Sequence, residues 1–383
     1  MPPVNFSLPI AQLAILAVLA WMARRALLLA APSPVASGAI VMAIGIFGLA
    51  SIQQIPAVPA AAMPPLALGL LVVWGFIAVS YASSWRQGRL AGLIAAPNDG
   101  FAVGTWVAGT AVMARLLLTG VPTWRAAVVV LALVALGLWL GYLVLVLRGF
   151  RAVLASHGRL RVTGRILLST VSTQSLVLLA WHLWPSADFL RAPTTALLLL
   201  GYLFYIAGLV LIAQRYLREP RWTLSEDWDN TNCILHGAMS ISGLAVVYTG
   251  LLPAWFGLAT WLYVLVVLVL VEAAELLRLV RRVGQHGLRQ GIFTYHVSQW
   301  SRNFTFGMFY AFTLAMAGAY AQSPLLAPLK PFLAPLIAGG PYIVLFFLLV
   351  ETGLWAVAHC RFRATPAAPQ RLTINEYAKE QRQ

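Results

Sequence analysis

Five stretches long enough to cross a bilayer are interrupted by Gly, Ser and Thr, and each is followed by one built almost wholly from bulky apolar residues. The first kind reads GAIVMAIGIFGLA (38–50), FAVGTWVAGTAV (101–112), ILLSTVSTQSLVLLA (166–180), CILHGAMSISGLA (233–245) and NFTFGMFYAFTLA (303–315). The second kind reads LALGLLVVWGFIAVSYA (66–82), AVVVLALVALGLWLGYLVLVL (127–147), ALLLLGYLFYIAGLVLIA (196–213), LATWLYVLVVLVLVEAAELL (258–277) and PYIVLFFLLVETGLWAVA (341–358). Small and hydroxyl residues let helices approach closely or leave room beside a path, whereas uniformly bulky helices suit lipid. The alternation therefore predicts an inner ring of polar-tolerant helices inside an outer ring of greasy ones, which is the plan of a pore.

Of the 383 residues 61% are hydrophobic and 10% charged, against roughly 25% charged in a soluble domain. Continuous apolar runs exclude a membrane β-barrel, whose strands alternate over about ten residues. The expected fold is an all-α integral membrane protein: five helical hairpins, ten core spans, around a central pore, plus one extra N-terminal transmembrane helix. The eleven spans lie near 9–30, 38–54, 64–83, 101–119, 125–148, 165–184, 194–214, 233–251, 255–279, 302–321 and 335–358. Three regions follow: the extra helix (1–32), the ten-helix domain (33–360) and a polar tail (361–383).

The net charge of +15 is topological and not a nucleic-acid footprint. Arginines crowd the loops 84–100, 148–165, 215–232 and 278–302, and the intervening loops carry few. By the positive-inside rule the crowded loops and the C-terminus are cytoplasmic, each pair starts and ends inside, and the N-terminus lies outside. The remaining role of these arginines is contact with anionic lipid headgroups. Asp99, and Asp229 to Asn232, precede polar helices as N-cap signals, or as helix N-termini facing an entering anion.

Catalytic and metal-binding signals are absent. The six histidines are scattered, no two at helical spacing within a span, and Cys233 and Cys360 stand at the ends of different helices. No cofactor or metal is expected. Glu272, Glu275 and Glu351 fall inside apolar spans, where a carboxylate is costly. Glu272 and Glu275 read either as an interfacial ion-pair cluster with Arg278, Arg281 and Arg282 or as a proton-coupling site. Glu351, about two turns from its helix end, is open in the same way, Glu272 and Glu351 being the proton-coupling candidates. Arg115, near the outer end of a polar helix, meets headgroups or draws anions to an outer mouth. In Trp300–Tyr310 a Phe directed into a narrow path would block ions by desolvation, and otherwise packs.

Four strings add a resemblance. HGAMSISGLA (236–245), WSRNFTFGMFYAFTLAMA (300–317), STVSTQSLVLLA (169–180) and AIVMAIGIFGLAS (39–51) resemble signatures of the tellurite-resistance/C4-dicarboxylate transporter family, which includes the slow-type plant anion channels. Each string falls on the polar member of a pair. The resemblance implies a homotrimer, each chain with a fivefold pseudo-symmetric pore for small inorganic anions or C4-dicarboxylates, in a bacterial inner membrane. It also implies a Phe gate, here Phe306 with Phe304 as the fallback. Gly45, Gly104, Thr105, Thr110, Thr170, Thr173 and Ser240 would line the path. The extra first span, His236 and EDWDNTNC (226–233) depart from the pattern. Three rivals stay open: a proton-coupled dicarboxylate or sulfite exporter, a non-transporting membrane subunit or assembly factor, and a membrane enzyme using Asp227, Asp229 and His236.

Overall fold

A computed structural model describes residues 7–23, 33–156, 160–185, 187–219, 221–324 and 326–361, and these contain helices and no strand. Eleven main helices follow in chain order: α1 (Ser7–Ala23), α2 (Gly38–Ile46), α3 (Met63–Arg86), α4 (Gly104–Gly120), α5 (Arg125–Ala155) and α6 (Leu168–Leu183), then α7 (Arg191–Arg218), α8 (Ile234–Thr249), α9 (Ala254–Gly291), α10 (Gln299–Ala319) and α11 (Lys330–Arg361). A π turn over Phe47–Ser51 prolongs α2, and a short helix Pro97–Ala102 leads into α4.

Nine of these segments are long and apolar enough to cross a membrane, two fewer than expected. One exception is α10, which is 21 residues long. Ser301, Arg302, Asn303, Tyr310 and two threonines dilute its hydropathy. The other is α1, whose apolar part is only Pro9–Met22, short of the ~20 residues a span needs. The expectation that this span runs to residue 30, and that 361–383 is a polar tail, concerns residues outside those described, Arg361 excepted.

Burial separates the two classes of helix. The polar-tolerant spans containing α2, α4, α6 and α8 are 72%, 89%, 83% and 83% buried, and the bulky spans of α3, α5, α7, α9 and α11 only 22–33%. The contacts of the buried class form a closed circuit: α2 packs on α4, α4 on α6, α6 on α8, α8 on α10, and α10 back on α2. Each of α3, α5, α7 and α9 lies against its own inner helix and the next one, and α11 lies against α10 and the π turn after α2. Helix α1 adds to this set by packing on α3.

A glycine sits at every contact of the circuit. A Cβ on Gly38 would strike the backbone of Thr105, and one on Gly109 would lie 2.9 Å from the Gly38 carbonyl. Gly104 faces Leu168, Gly164 faces the backbone of Thr231, Gly237 faces Thr305, and Gly307 faces Ile46. In hydrocarbon no hydrophobic effect drives helices together, so dense packing across small residues has to do so.

A second device repeats between the layers. Trp74 on α3 donates its indole N–H to Thr110 on α4, Trp139 on α5 to Thr173 on α6, and Trp261 on α9 to Thr313 on α10, each at 3.0 Å. Each threonine hydroxyl in turn donates to the carbonyl four residues back, at 2.8 Å for Thr110 and Thr313 and 2.8 Å for Thr173. Between α7 and α8 Tyr205 takes this role, donating to the Leu235 carbonyl at 3.0 Å. A bulky helix is thus fastened to the inner helix of the following pair.

Two stability predictions follow from these contacts. Gly38→Ala should lower stability in detergent by about 1–3 kcal/mol, because the opposing group is backbone and cannot yield. Trp139→Phe should cost about 0.5–1.5 kcal/mol by removing the one donor to a buried hydroxyl. Thermal unfolding of the purified full chain measures both, and an unchanged melting temperature refutes the corresponding contact.

Candidate functional site

The seven residues expected to line a path are fully engaged in packing. Gly45 meets Val112 and Gly104 meets the Tyr142 ring. Thr105 donates to the Ala102 carbonyl and Ser240 to the His236 carbonyl, each at 2.8 Å. Thr170 reaches outward to the Gly201 carbonyl of α7 at 3.1 Å, and Thr110 and Thr173 receive the tryptophans described above. Their hydroxyls satisfy backbone carbonyls and bulky-layer indoles.

The two candidate phenylalanines occupy opposite faces of α10. Phe306 stacks on Phe347 of α11 at 5.0 Å between ring centres and lies 6.1 Å from the His236 ring. Phe309 and Thr313, on the same face, are held by Trp261 of α9. Residues turn by ~100° each along a helix, so Arg302, Phe306, Phe309 and Thr313 share the face toward the bulky layer. Phe304, Met308 and Ala311 then point the other way, into the circuit. Phe304 and Met308 are each only 1% exposed.

At the arginine-rich end, Glu272, Glu275, Arg278 and Arg302 form a cluster between α9 and α10. Glu275 accepts from the Trp228 indole at 2.8 Å, lies 2.7 Å from Arg302 Nη2 and 3.6 Å from Arg278 Nη1. Glu272 is looser, 3.9 Å from Arg302 Nε and 3.8 Å from His236 Nε2. Arg278 also donates to Asn230 and, at 3.4 Å, to the Ser225 carbonyl. Two carboxylates thus face two guanidiniums, Arg278 as expected and Arg302 where Arg281 and Arg282 were expected. Glu351 stands apart on α11, 4% exposed, with Oε1 lacking a hydrogen-bond partner.

The capping signals divide. Asp229 does cap, accepting from the Thr231 N–H at 2.8 Å. Asp99 lies inside the first turn of Pro97–Ala102 and takes no capping bond. It pairs instead with Arg165 at 3.1 Å. The described residues hold no cluster of three His, Cys, Asp or Glu able to bind a metal.

The opposite end of the circuit holds Arg115. This arginine of α4 is 7% exposed, and no carboxylate pairs with it among the described residues. Its Nη2 lies 3.3 Å from Nε2 of His182 on α6, and its Nε has no hydrogen-bond partner. The His182 ring packs edge-on against Tyr248 of α8 at 4.9 Å. Three successive inner helices therefore each send one polar ring or guanidinium to the same place. A buried guanidinium without an acid is expensive, and a small anion would offset that cost. Arg115 was visible in the sequence as a lone cation within a polar helix. His182 was not, because its partner lies 67 residues away and no local spacing marks the pair. The tryptophans were missed too, although Trp74–Thr110 and Trp139–Thr173 recur at separations of 36 and 34 residues.

No family model and no curated protein matches this chain.

The two acidic residues of α9 should behave unequally. Glu275→Gln leaves a buried position facing two half-buried guanidiniums undercompensated and should destabilise the protein by about 2–3 kcal/mol. Glu272→Gln should cost under about 1 kcal/mol, as for a loosely placed ion pair. Equal losses in a chemical or thermal unfolding series would contradict this division of labour.

Proposed function

We propose that this chain is a multi-pass protein of the bacterial inner membrane, with N-terminus outside and C-terminus cytoplasmic. Its five helical hairpins surround a path for small inorganic anions or C4-dicarboxylates, and it works as a channel or carrier of the tellurite-resistance/C4-dicarboxylate transporter type, assembled as a homotrimer. The observation that carries this reading is Arg115, a buried guanidinium at one end of the closed helix circuit with no carboxylate paired to it among the described residues. A fixed buried cation attracts anions and repels cations, and weak contacts beyond it permit exit. The arginine-rich loops, all at the other end, support the orientation.

The occluding side chain in this proposal is Phe304. Its face of α10 points into the circuit, whereas Phe306 stacks against the bulky layer. With the path hydroxyls committed to carbonyls, the interior is apolar, and an apolar constriction excludes ions by desolvation until a ring moves. Phe304→Ala should raise chloride or nitrate flux in proteoliposomes several-fold, and Arg115→Gln should lower it. A folded Phe304→Ala protein that conducts no better than the parent rejects the gate assignment.

One observation favours the coupled-exporter variant. Glu351 is buried and its Oε1 lacks a partner, which is the condition of a carboxylate that exchanges a proton. If coupling operates there, malate or sulfite flux driven by a pH gradient disappears in Glu351→Gln while downhill flux persists.

A further inference from the structure

We infer that Arg115 and His182 form one site that takes up a small anion together with a proton. The inference rests on the anion-path reading for its biological use but not for its chemistry. The starting point is a tautomer. His182 Nδ1 lies 2.7 Å from the Leu178 carbonyl. A carbonyl only accepts, so Nδ1 carries the hydrogen. In the neutral ring Nε2 is then a bare lone pair, and it is this atom that receives the Arg115 Nη2 hydrogen bond at 3.3 Å. The contact is long for such a bond, and the neighbouring Nε of Arg115 is left without an acceptor. The guanidinium is thus held by one weak neutral acceptor where an anion would serve it far better.

Adding a proton reverses the contact. The proton bonds to Nε2, and the Arg115–His182 hydrogen bond is given up because both sides now donate. Nδ1–H keeps its bond to Leu178, so the ring stays in place with Nε2–H directed at the guanidinium. Two positive groups then face one small space, and an anion between them receives N–H donors from each. Anion entry therefore favours proton uptake, and proton uptake favours the anion by the same factor. With Nη2 and Nε2 only 3.3 Å apart, the anion enters as the guanidinium swings off the ring, and a compact anion such as chloride or nitrate needs the least displacement.

The other groups near His182 do not substitute for this pair. Tyr248 of α8 presents its ring edge-on. Arg125, at the start of α5, donates to the Leu183 carbonyl at 2.6 Å and is spent there. Asp188 and Arg191, before and at the start of α7, line a separate cavity with Trp181 and Trp184. Among the described residues no carboxylate pairs with His182, so a proton arriving there has no internal counter-charge and the anion must supply it.

The test is chloride binding to the purified full chain, followed by chloride NMR line broadening between about pH 4 and about pH 8, histidine's ordinary range extended to the acid side because a guanidinium faces this ring. Wild-type affinity should rise as pH falls, by up to roughly tenfold per pH unit where one proton is coupled. His182→Gln should still bind but lose this pH dependence, and Arg115→Gln should lose the bound-chloride broadening. A pH-independent wild type, or a His182→Gln variant that keeps the full pH dependence, overturns the inference. If the binding profile appears as described while proteoliposomes carry no anion flux, it is the conduction reading that fails and the site that stands.

Discussion

Close approach at five glycine-bearing contacts, backbone to backbone at two of them, is the constraint on which the rest of the structure depends. Gly38 against Thr105, Gly104 against Leu168, Gly164 against Thr231, Gly237 against Thr305 and Gly307 against Ile46 cover every junction of the inner circuit. Where backbone faces backbone, at Gly38 and Gly164, an added side chain must push the two segments apart. A closed ring cannot absorb that at one joint without straining the others, because interiors are close-packed.

The bulky layer then has a defined seat. Each bulky helix spans the groove between two inner ones, and the tryptophan-to-threonine bonds set its height and rotation. This explains why the polar character of the inner helices is no direct measure of a polar path. Most of their hydroxyls are turned sideways or outward, onto carbonyls and indoles. Apart from Glu351 on α11, the groups left for chemistry lie at the two ends: an ion-pair cluster at the arginine-rich end, and Arg115 with His182 at the other. The first is balanced, two acids against two guanidiniums, and its tight member, Glu275, ties α9 to α10 and to Trp228. The second is unbalanced, and an unbalanced buried charge is what a ligand can complete.

Helix character, the two-class alternation and the arginine-rich loops were legible in the sequence, since apolar length, small-residue content and loop charge are local properties. Helix α10 was legible by rank in the alternation even though its hydropathy falls short. The phase of its residues was not. Phe304 and Phe306 differ by two positions and about half a turn, and only the stack of Phe306 on Phe347 and the hold of Trp261 on the same face fix which ring looks inward. Asp99 shows the same limit, since a capping residue and an ion-pair partner look alike until Arg165 is brought beside it.

By itself the sequence determined helical character and the alternation of five polar-tolerant with five lipid-suited helices; of the eleven spans it suggested, nine described segments are long and apolar enough to cross a membrane. Those follow from composition over windows of one helix length, where the energy of burying each residue adds independently. The tertiary structure alone decided that the circuit closes, which hydroxyls are spent, and that Arg115 meets His182 while no described carboxylate pairs with it. These depend on pairings across tens of residues, and on rotations of a helix about its own axis that hydropathy does not encode.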